Sequence, residues 1–166
     1  TRRNIISSNK KNIAFVAPTS SGKSSLIIQH IKNNDRIQKA AVLVPTKSLI
    51  AQTYMDLRKE LSDRKIISHE GMYNGESTFV GCLTQERMLR LLENNEELCF
   101  DCIYVDEAHN IFSNDNRNVL LARAIKMCKD RNAECQVIFL SPFINNVRNL
   151  MLGSVNEIDE QRITFN

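Results

Sequence analysis

The chain has 166 residues, of which 42% are hydrophobic and 25% are charged, and its formal net charge is +3. This length fits one domain better than two and is sufficient to bury a core without disulfides or metals. The small net charge does not by itself identify a protein that binds polyanions. No apolar run approaches the ~20 residues that cross a bilayer, and no signal peptide is visible, so we expect a cytoplasmic protein (nuclear if eukaryotic) without a membrane partner.

The five cysteines of the chain are Cys82, Cys99, Cys102, Cys128 and Cys135. Their number is odd and the chain is not small, so a disulfide framework is not expected and a reducing compartment fits better. Cys99 and Cys102 have the C-x-x-C spacing of some zinc and redox sites, but no second pair lies at a suitable distance. We predict reduced cysteines that pack as small hydrophobic side chains.

Short apolar runs alternate with segments of helical periodicity after a polar, basic lead-in. The runs predicted to form strands cover residues 12–17, 39–45, 64–68, 77–83, 100–107, 135–141 and 162–165. The predicted helices cover residues 22–34, 46–62, 84–95, 116–130 and 145–153, with Thr84 as an N-cap and a loop over residues 69–76. This alternation predicts one α/β domain with a mainly parallel sheet and helices on both faces, in which ligands bind at the carboxyl ends of the strands.

The segment FVAPTSSGKSSL, residues 15–26, ends like the phosphate-loop pattern G-x-x-x-x-G-K-[ST], although Ala17 stands where that pattern begins with glycine. It lies between a predicted strand and a predicted helix, as a phosphate loop requires. Backbone N–H groups at the helix start can bind an anion, Lys23 can reach the β- and γ-phosphates of ATP, and the Ser24 hydroxyl can bind Mg²⁺. The alternative interpretation is a polar turn with a solvated lysine. The predicted nucleotide contacts are Ala17, Pro18, Thr19, Ser20, Ser21, Gly22, Lys23, Ser24 and Ser25.

Two acids follow the apolar run CIYV, in the segment CIYVDEAHN. A triphosphate with Mg²⁺ needs one carboxylate for the metal and a second group to polarise the attacking water. We assign Asp106 to the metal and Glu107 to the water, and we place His109 near the γ-phosphate. The alternative is that both acids merely cap the next turn. Two such patterns at matching strand ends favour the nucleotide site.

With APTSSGKS and VDEAH, the chain resembles the first RecA-like domain of superfamily 2 helicases of the DEAH-box type. The segments VPTKSLIAQ (44–52), TQERML (84–89) and LSPFINN (140–146) resemble further motifs of that family. The resemblance spans about residues 12–150. It implies a RecA-like P-loop NTPase fold that binds ATP and Mg²⁺, with catalysis by Lys23 and Glu107.

The resemblance also implies contacts with the backbone of DNA or RNA. The residues implied are Pro45, Thr46, Lys47, Thr84, Gln85 and Arg87. Free N–H groups at the helix starts suit phosphate contacts, and such binding is salt-dependent and tolerant of sequence. For Lys47 and Arg87 the alternative is ordinary surface charge.

The chain departs from the family pattern at the S-A-T motif, which links ATP hydrolysis to strand separation. Ser141 matches its first position and is the predicted coupling residue, whereas Pro142 and Phe143 replace the alanine and threonine. No glutamine motif is visible before the phosphate loop.

The second RecA-like domain of the family is also absent from residues 1–166, and the chain starts at Thr1. We therefore expect a single-domain piece of a longer helicase-type motor, which hydrolyses little ATP by itself because the partner domain is missing. The alternatives are a duplex translocase subunit and a degenerate scaffold domain. A small-molecule kinase would leave the Asp-Glu-Ala-His run unexplained.

Overall fold

The computed structural model describes residues 12–16, 20–109, 115–141 and 158–162. The strands are β1 (Asn12–Val16), β2 (Lys39–Leu43), β3 (Lys65–Ile67), β4 (Phe79–Leu83), β5 (Cys102–Val105), β6 (Gln136–Ser141) and β7 (Ile158–Arg162). The helices are α1 (Ser20–Lys32), α2 (Lys47–Glu60), α3 (Gln85–Asn94) and α4 (Asp115–Arg131), with a 3₁₀ turn at Glu70–Met72.

The strands form one sheet in the order β3-β4-β2-β5-β6-β1-β7, and each described pairing is parallel. The carboxyl ends of the strands therefore lie along one edge of the sheet. β6 is placed between β1 and β5, with Phe15 opposite Leu140 on one side and Val105 opposite Phe139 on the other. The prediction of a parallel α/β sheet of the RecA-like type is confirmed.

Side chains of each inner strand alternate between the two faces of the sheet, as the strand period of two requires. On β5, Cys102 and Tyr104 pack in a cluster with the apolar side chains of α1 and α2. The intervening Ile103 and Val105 pack with α3 and α4. Because both faces are covered, β5 is apolar throughout, which is the pattern that the sequence shows.

Most element boundaries agree with the predicted ones within a few residues, and Thr84 caps α3 as predicted by accepting from the Arg87 N–H at 3.4 Å. The predicted last strand at residues 162–165 shares Arg162 with β7, and its other residues lie outside the described residues. Strand β7 carries Asp159, Glu160 and Gln161, so it lacks the apolar run by which the other strands were found. The predicted helix at residues 145–153 lies outside the described residues.

All five cysteines are free, and four of them are buried, namely Cys82, Cys102, Cys128 and Cys135. Burial raises the pKa of the Cys82 and Cys135 thiols to about 12. Thiols in this state are uncharged and pack as small apolar groups, as predicted for these four, whereas Cys99 is only half-buried and lies outside the core. Among the described helices, none is both long enough and apolar enough to cross a bilayer.

We expect Phe79→Ala to lower the free energy of unfolding by about 3–5 kcal/mol, because it removes a ring from a closely packed core. Phe79 is completely buried, and its ring centroid lies 5.6 Å from that of Phe100 and 5.0 Å from that of Tyr73. Urea denaturation followed by circular dichroism measures the loss. Met55→Ala is the matched control, since Met55 is 63% exposed and its loss should change stability by less than about 0.5 kcal/mol.

Candidate nucleotide and nucleic-acid site

Lys23 and the two acids meet at the carboxyl edge of the sheet. Lys23 lies in the first turn of α1, and its residue is only 2% exposed. Its Nζ donates to Glu107 Oε1 and lies 3.4 Å from Asp106 Oδ1. The predicted convergence of Lys23 with Asp106 and Glu107 is therefore present, although they are more than eighty residues apart in the sequence.

The backbone turns sharply where the acids leave β5. The Asp106 N–H still donates to Leu43 O at 2.8 Å, as a continuation of the sheet. Glu107 has a φ of 51°, in the left-handed region that costs a residue with a side chain about 1 kcal/mol or more. Asp106 Oδ1 accepts from the Glu107 N–H at 2.9 Å and thereby stabilises the turn. This turn directs both carboxylates toward Lys23. No pattern in the sequence predicted it.

The site holds two carboxylates against one ammonium group, so it has an excess of negative charge. Burial raises the pKa of Asp106 above its ordinary value, and the nearby Lys23 ammonium only partly opposes this effect. The Ser24 hydroxyl and both acids line the same cleft. Hydroxyl and carboxylate oxygens are ligands that Mg²⁺ accepts, so these residues fit a bound magnesium ion.

His109 links Glu107 to the neighbouring strand. Its Nε2 lies 3.3 Å from Glu107 Oε2, and its Nδ1 lies 3.1 Å from the hydroxyl of Ser141. Ser141 is buried at the end of β6, which separates β5 from β1. One imidazole therefore joins the predicted water-activating residue to the predicted coupling residue. Pro142 and Phe143 lie outside the described residues.

Sequence reasoning missed a cleft of about 720 Å³ that runs between α1 and α2. Asp106 and Glu107 lie at one end of this α1–α2 cleft. Its other end carries the ion pair between Lys32 Nζ and Glu60 Oε2 at 3.3 Å. Its lining is divided between two helices, so no single stretch of the sequence displays the cleft.

The remaining predicted nucleotide contacts are only partly described. Ala17, Pro18 and Thr19 lie outside the described residues. Ser20 and Ser21 begin the backbone of α1, which places the N-terminus of that helix beside the acids. Gly22 and Ser24 are half-buried, whereas Ser25 is exposed, and both serines Ser24 and Ser25 line the α1–α2 cleft. The roles of these residues in nucleotide binding stay predictions.

At the start of α2, the predicted nucleic-acid contacts are accessible. Thr46 is the N-cap and accepts from the Leu49 N–H at 3.4 Å, while Pro45 before it is buried. Thr46 and Lys47 are both exposed. The helix start and the Lys47 ammonium group are thus available to a phosphate.

At the start of α3, the predicted contacts are less accessible. Thr84 and Gln85 are 6% and 7% exposed, respectively. Arg87 Nη1 donates to the Ser68 carbonyl at 2.7 Å, so its guanidinium holds the chain after β3. The surface-charge alternative does not describe Arg87, which has a structural partner. Nucleic-acid contacts by these three residues stay predictions, and Thr46 and Lys47 form the exposed part of the predicted track.

We expect Asp106→Asn to change the pH dependence of stability. Because the pKa of Asp106 is raised in the folded state from 3.8, the folded protein binds this proton more tightly than the unfolded chain does. Stability therefore falls as the pH rises from 3.8 through the raised value, and this loss is complete above it. Asparagine does not titrate, so the free energy of unfolding of the variant should rise relative to that of the wild type across this pH range. Urea denaturation at successive pH values measures the difference.

Asp63→Asn is the control with the opposite sign. The Arg64 hydrogen bond lowers the pKa of Asp63 from 3.8, so the stability of the wild type relative to this variant should rise as the pH increases from the lowered value to 3.8 and then stay constant. The effect should be small because Asp63 is exposed. Equal pH profiles for wild type and Asp106→Asn would show that the folded site does not disfavour the Asp106 charge.

Comparison with known proteins agrees with this geometry. The sequence profile described as DEAD/DEAH box helicase matches residues 3–150. The curated Anti-bacteriophage protein B of Escherichia coli (strain K12) is 27% identical over 155 residues, which are 84% of this chain and 20% of that protein. The chain thus spans about one fifth of the length of this relative.

Solved structures share the fold. The helicase domain of Pyrococcus furiosus Hef superposes with a TM-score of 0.70 at 18% identity, over 97% of this chain and 37% of that one. S. cerevisiae Dbp5 bound to RNA and ADP BeF3 superposes with a TM-score of 0.74 at 16% identity, over 96% and 44%. The Sulfolobus solfataricus SWI2/SNF2 ATPase core in complex with dsDNA gives 0.65 at 20% identity, over 88% and 31%. The profile match over most of the chain, together with this fold, shows that the chain belongs to the DEAD/DEAH box helicase family.

Proposed function

We propose that this chain is the ATP-binding motor domain of a nucleic-acid helicase, coupling hydrolysis of Mg²⁺-ATP to movement on DNA or RNA. The convergence of Lys23, Asp106 and Glu107 at one edge of the parallel sheet carries this proposal. It supplies a cation for the phosphates, a ligand for the metal and a base for the water. Membership in the helicase family supports the same assignment.

The ion pairs of Lys23 suggest how ATP binding prepares the site. In this structure Lys23 Nζ donates to Glu107, and the Lys23 residue is only 2% exposed. The β- and γ-phosphates of ATP carry more negative charge and would compete with the carboxylates for this ammonium group. Transfer of Lys23 to the phosphates releases Glu107 Oε1. The released carboxylate can then accept a hydrogen bond and finally a proton from the attacking water.

Ser24 and Asp106 are the residues that would hold Mg²⁺, either directly or through water. The bound metal would neutralise charge on the terminal phosphates, which is the chemistry that phosphoryl transfer needs. It would also favour the ionised form of Asp106, whose pKa burial otherwise raises. The buried acid pair thus tolerates its charge best when nucleotide and metal are both bound.

His109 and Ser141 provide a path from hydrolysis to the rest of the domain. His109 Nε2 lies 3.3 Å from Glu107 Oε2. When Glu107 exchanges the Lys23 ammonium group for the attacking water, the strength of its contact with His109 changes. The same imidazole contacts Ser141, so the change reaches the end of β6. We infer that this path couples the state of the nucleotide to the carboxyl end of β6.

The nucleic acid would lie along the carboxyl edge, across the exposed start of α2. Thr46 and Lys47 offer a hydroxyl, free helical N–H groups and a cation there. Among the structural relatives, Dbp5 was solved with RNA and the SWI2/SNF2 core with dsDNA, which supports a nucleic-acid partner of either kind. Such contacts read the backbone, so we propose binding that tolerates sequence.

Full catalysis would need a second RecA-like domain in the same protein. The Lys23 site lies at an open edge of the sheet, where closure against such a domain would exclude water and deliver an arginine to the phosphates. The chain spans only 20% of the length of its curated relative. A cytoplasmic location is part of the same proposal.

A duplex translocase is the second candidate function, and the similarity to the SWI2/SNF2 core solved with dsDNA is the observation in its favour. Such a motor moves along duplex without separating its strands. A strand-displacement assay and a triplex-displacement assay on the full-length protein separate the two functions. Helicase action displaces a strand from a duplex, whereas translocation displaces only the third strand of a triplex.

Lys23→Ala and Glu107→Gln should have different effects in the full-length protein. Loss of the Lys23 ammonium group should abolish binding of ATP, because it is the buried cation at the phosphates. Glu107→Gln keeps the shape of the side chain but removes the base, so ATP should still bind while turnover falls by about 10² or more. Calorimetry with an ATP analogue and a phosphate-release assay measure the two properties.

Unchanged turnover by Glu107→Gln would refute the assigned base, and intact ATP binding by Lys23→Ala would refute the nucleotide site. Lys126→Ala is the matched control. Lys126 is also a helical lysine in contact with an acid, at 2.6 Å from Asp130, but it is largely exposed. This variant should bind and hydrolyse ATP like the wild type.

Lys47→Ala should weaken nucleic-acid binding equally for unrelated sequences. Loss of one phosphate contact should also reduce the slope of log affinity against log salt by about 0.7 for single strands and about 0.9 for duplex DNA. Fluorescence anisotropy at several salt concentrations measures both effects. An unchanged slope, equal to that of Lys126→Ala, would show that Lys47 is ordinary surface charge.

A further inference from the structure

Two polar contacts join α1 to β5 on the same face of the sheet. At the rim, Lys23 pairs with Asp106 and Glu107. Deeper in the domain, Nδ1 of His30 lies 2.7 Å from the hydroxyl of Tyr104. Their rings meet edge to face, with centroids 5.8 Å apart and planes at 85°. His30 is 4% exposed and Tyr104 is completely buried, so water does not compete for this hydrogen bond.

The spacing of the two contacts matches on both elements. His30 follows Lys23 by seven residues, which is two helical turns, so both side chains lie on one face of α1 about 10 Å apart. Tyr104 precedes Asp106 by two residues, so both point to one face of β5 about 7 Å apart. The rim contact and the deep contact therefore hold the same helix against the same strand.

The hydrogen bond between His30 and Tyr104 is directional, whereas the apolar contacts around it are not. Tyr104 lies in the apolar cluster that contains Ile27 and Ile31 of α1 and Ile138 of β6, and the buried His30 side chain contacts it there. Hydrophobic contacts of this kind are non-directional and permit small shifts along the helix axis. A hydrogen bond requires a heavy-atom distance near 2.7 Å and good alignment. It therefore limits both sliding and rotation of α1 on β5.

Burial raises the pKa of Tyr104 well above its ordinary value, so its hydroxyl is uncharged and is available for hydrogen bonding. A phenylalanine would fill nearly the same space without a polar group to bury. The tyrosine hydroxyl adds two polar contacts to this core, one with the Cys102 thiol on its own strand and one with His30 on α1, and only the second joins the helix to the strand.

We propose that the His30–Tyr104 hydrogen bond is a positioning contact for the nucleotide site, holding α1 in the register that places Lys23 and Ser24 opposite Asp106 and Glu107. This inference rests on the proposed function, in which Lys23 binds the β- and γ-phosphates. Neither His30 nor Tyr104 touches the nucleotide. Loss of the bond lets Lys23 shift away from the γ-phosphate, so it weakens binding of ATP more than binding of ADP.

The test is Tyr104→Phe in the full-length protein. Calorimetry gives the Kd values of a non-hydrolysable ATP analogue and of ADP, both with Mg²⁺, at a temperature well below the Tm of each variant. Because misplacement of a binding group by about 1 Å can cost up to about 10²-fold, we expect the preference for the ATP analogue over ADP to fall about tenfold. Tyr54→Phe is the matched control, since Tyr54 packs on the same cluster from α2, and it should keep the preference.

A double variant separates positioning from stability alone. His30→Leu with Tyr104→Phe replaces both partners of this hydrogen bond by apolar groups, so neither of the two is left buried without the other, and the cost in stability should be small. The double variant should therefore unfold close to the wild-type Tm and still show the lowered preference for ATP. The single variant His30→Asn keeps Tyr104, and its amide can replace Nδ1 in the hydrogen bond. It should therefore prefer the ATP analogue over ADP more strongly than the double variant does.

The inference is overturned if the folded double variant prefers the ATP analogue over ADP as strongly as the wild type does. It is also overturned if the variants bind ATP and ADP more weakly by the same factor. If Tyr104→Phe does not fold, the double variant and His30→Asn provide the same comparison. Lys23→Ala is measured in parallel. If that variant retains ATP binding, the proposed nucleotide site itself fails. If it loses binding while the double variant keeps its preference, only the positioning role fails.

Discussion

The site depends on the pairing of one buried ammonium group, that of Lys23, with the two carboxylates that follow β5. A cation that is 2% exposed is stable there because Asp106 and Glu107 compensate its charge. The acids in turn tolerate burial because the cation is present. Each partner therefore needs the fold that brings α1 beside β5, and the site assembles only with the domain.

Parallel pairing makes this assembly possible. Because the described strands run in one direction, the carboxyl ends of β1, β2, β5 and β6 lie along one edge of the sheet. The placement of β6 between β1 and β5 adds Ser141 to that edge, and His109 contacts it beside Glu107. Lys23, Glu107 and Ser141 are therefore brought to the same edge although they are distant in sequence.

Burial has opposite consequences in the core and at the site. In the core it stabilises apolar side chains such as Phe79 and keeps the cysteines uncharged. At the candidate site it raises the pKa of Asp106 and disfavours the charge of this carboxylate, which the proposed binding of magnesium would need. The left-handed backbone at Glu107 is a second local cost. Such costs are common where chemistry takes place, and the surrounding sheet offsets them.

The sequence by itself determined the fold class, most of the strands and helices, and the approximate position of the nucleotide site. It did so because apolar runs, helical periodicity and the Gly-Lys-Ser and Asp-Glu segments are local patterns, which one stretch of chain displays without its neighbours. Most of strand β7 was not predicted, because its residues are largely polar. The left-handed turn at Glu107, the α1–α2 cleft and the His30–Tyr104 contact were decided only by the tertiary structure. The cleft and the contact join different elements, and their geometry depends on how α1 and α2 pack on the sheet. The turn is local, but it departs from the backbone conformation that a residue with a side chain ordinarily prefers.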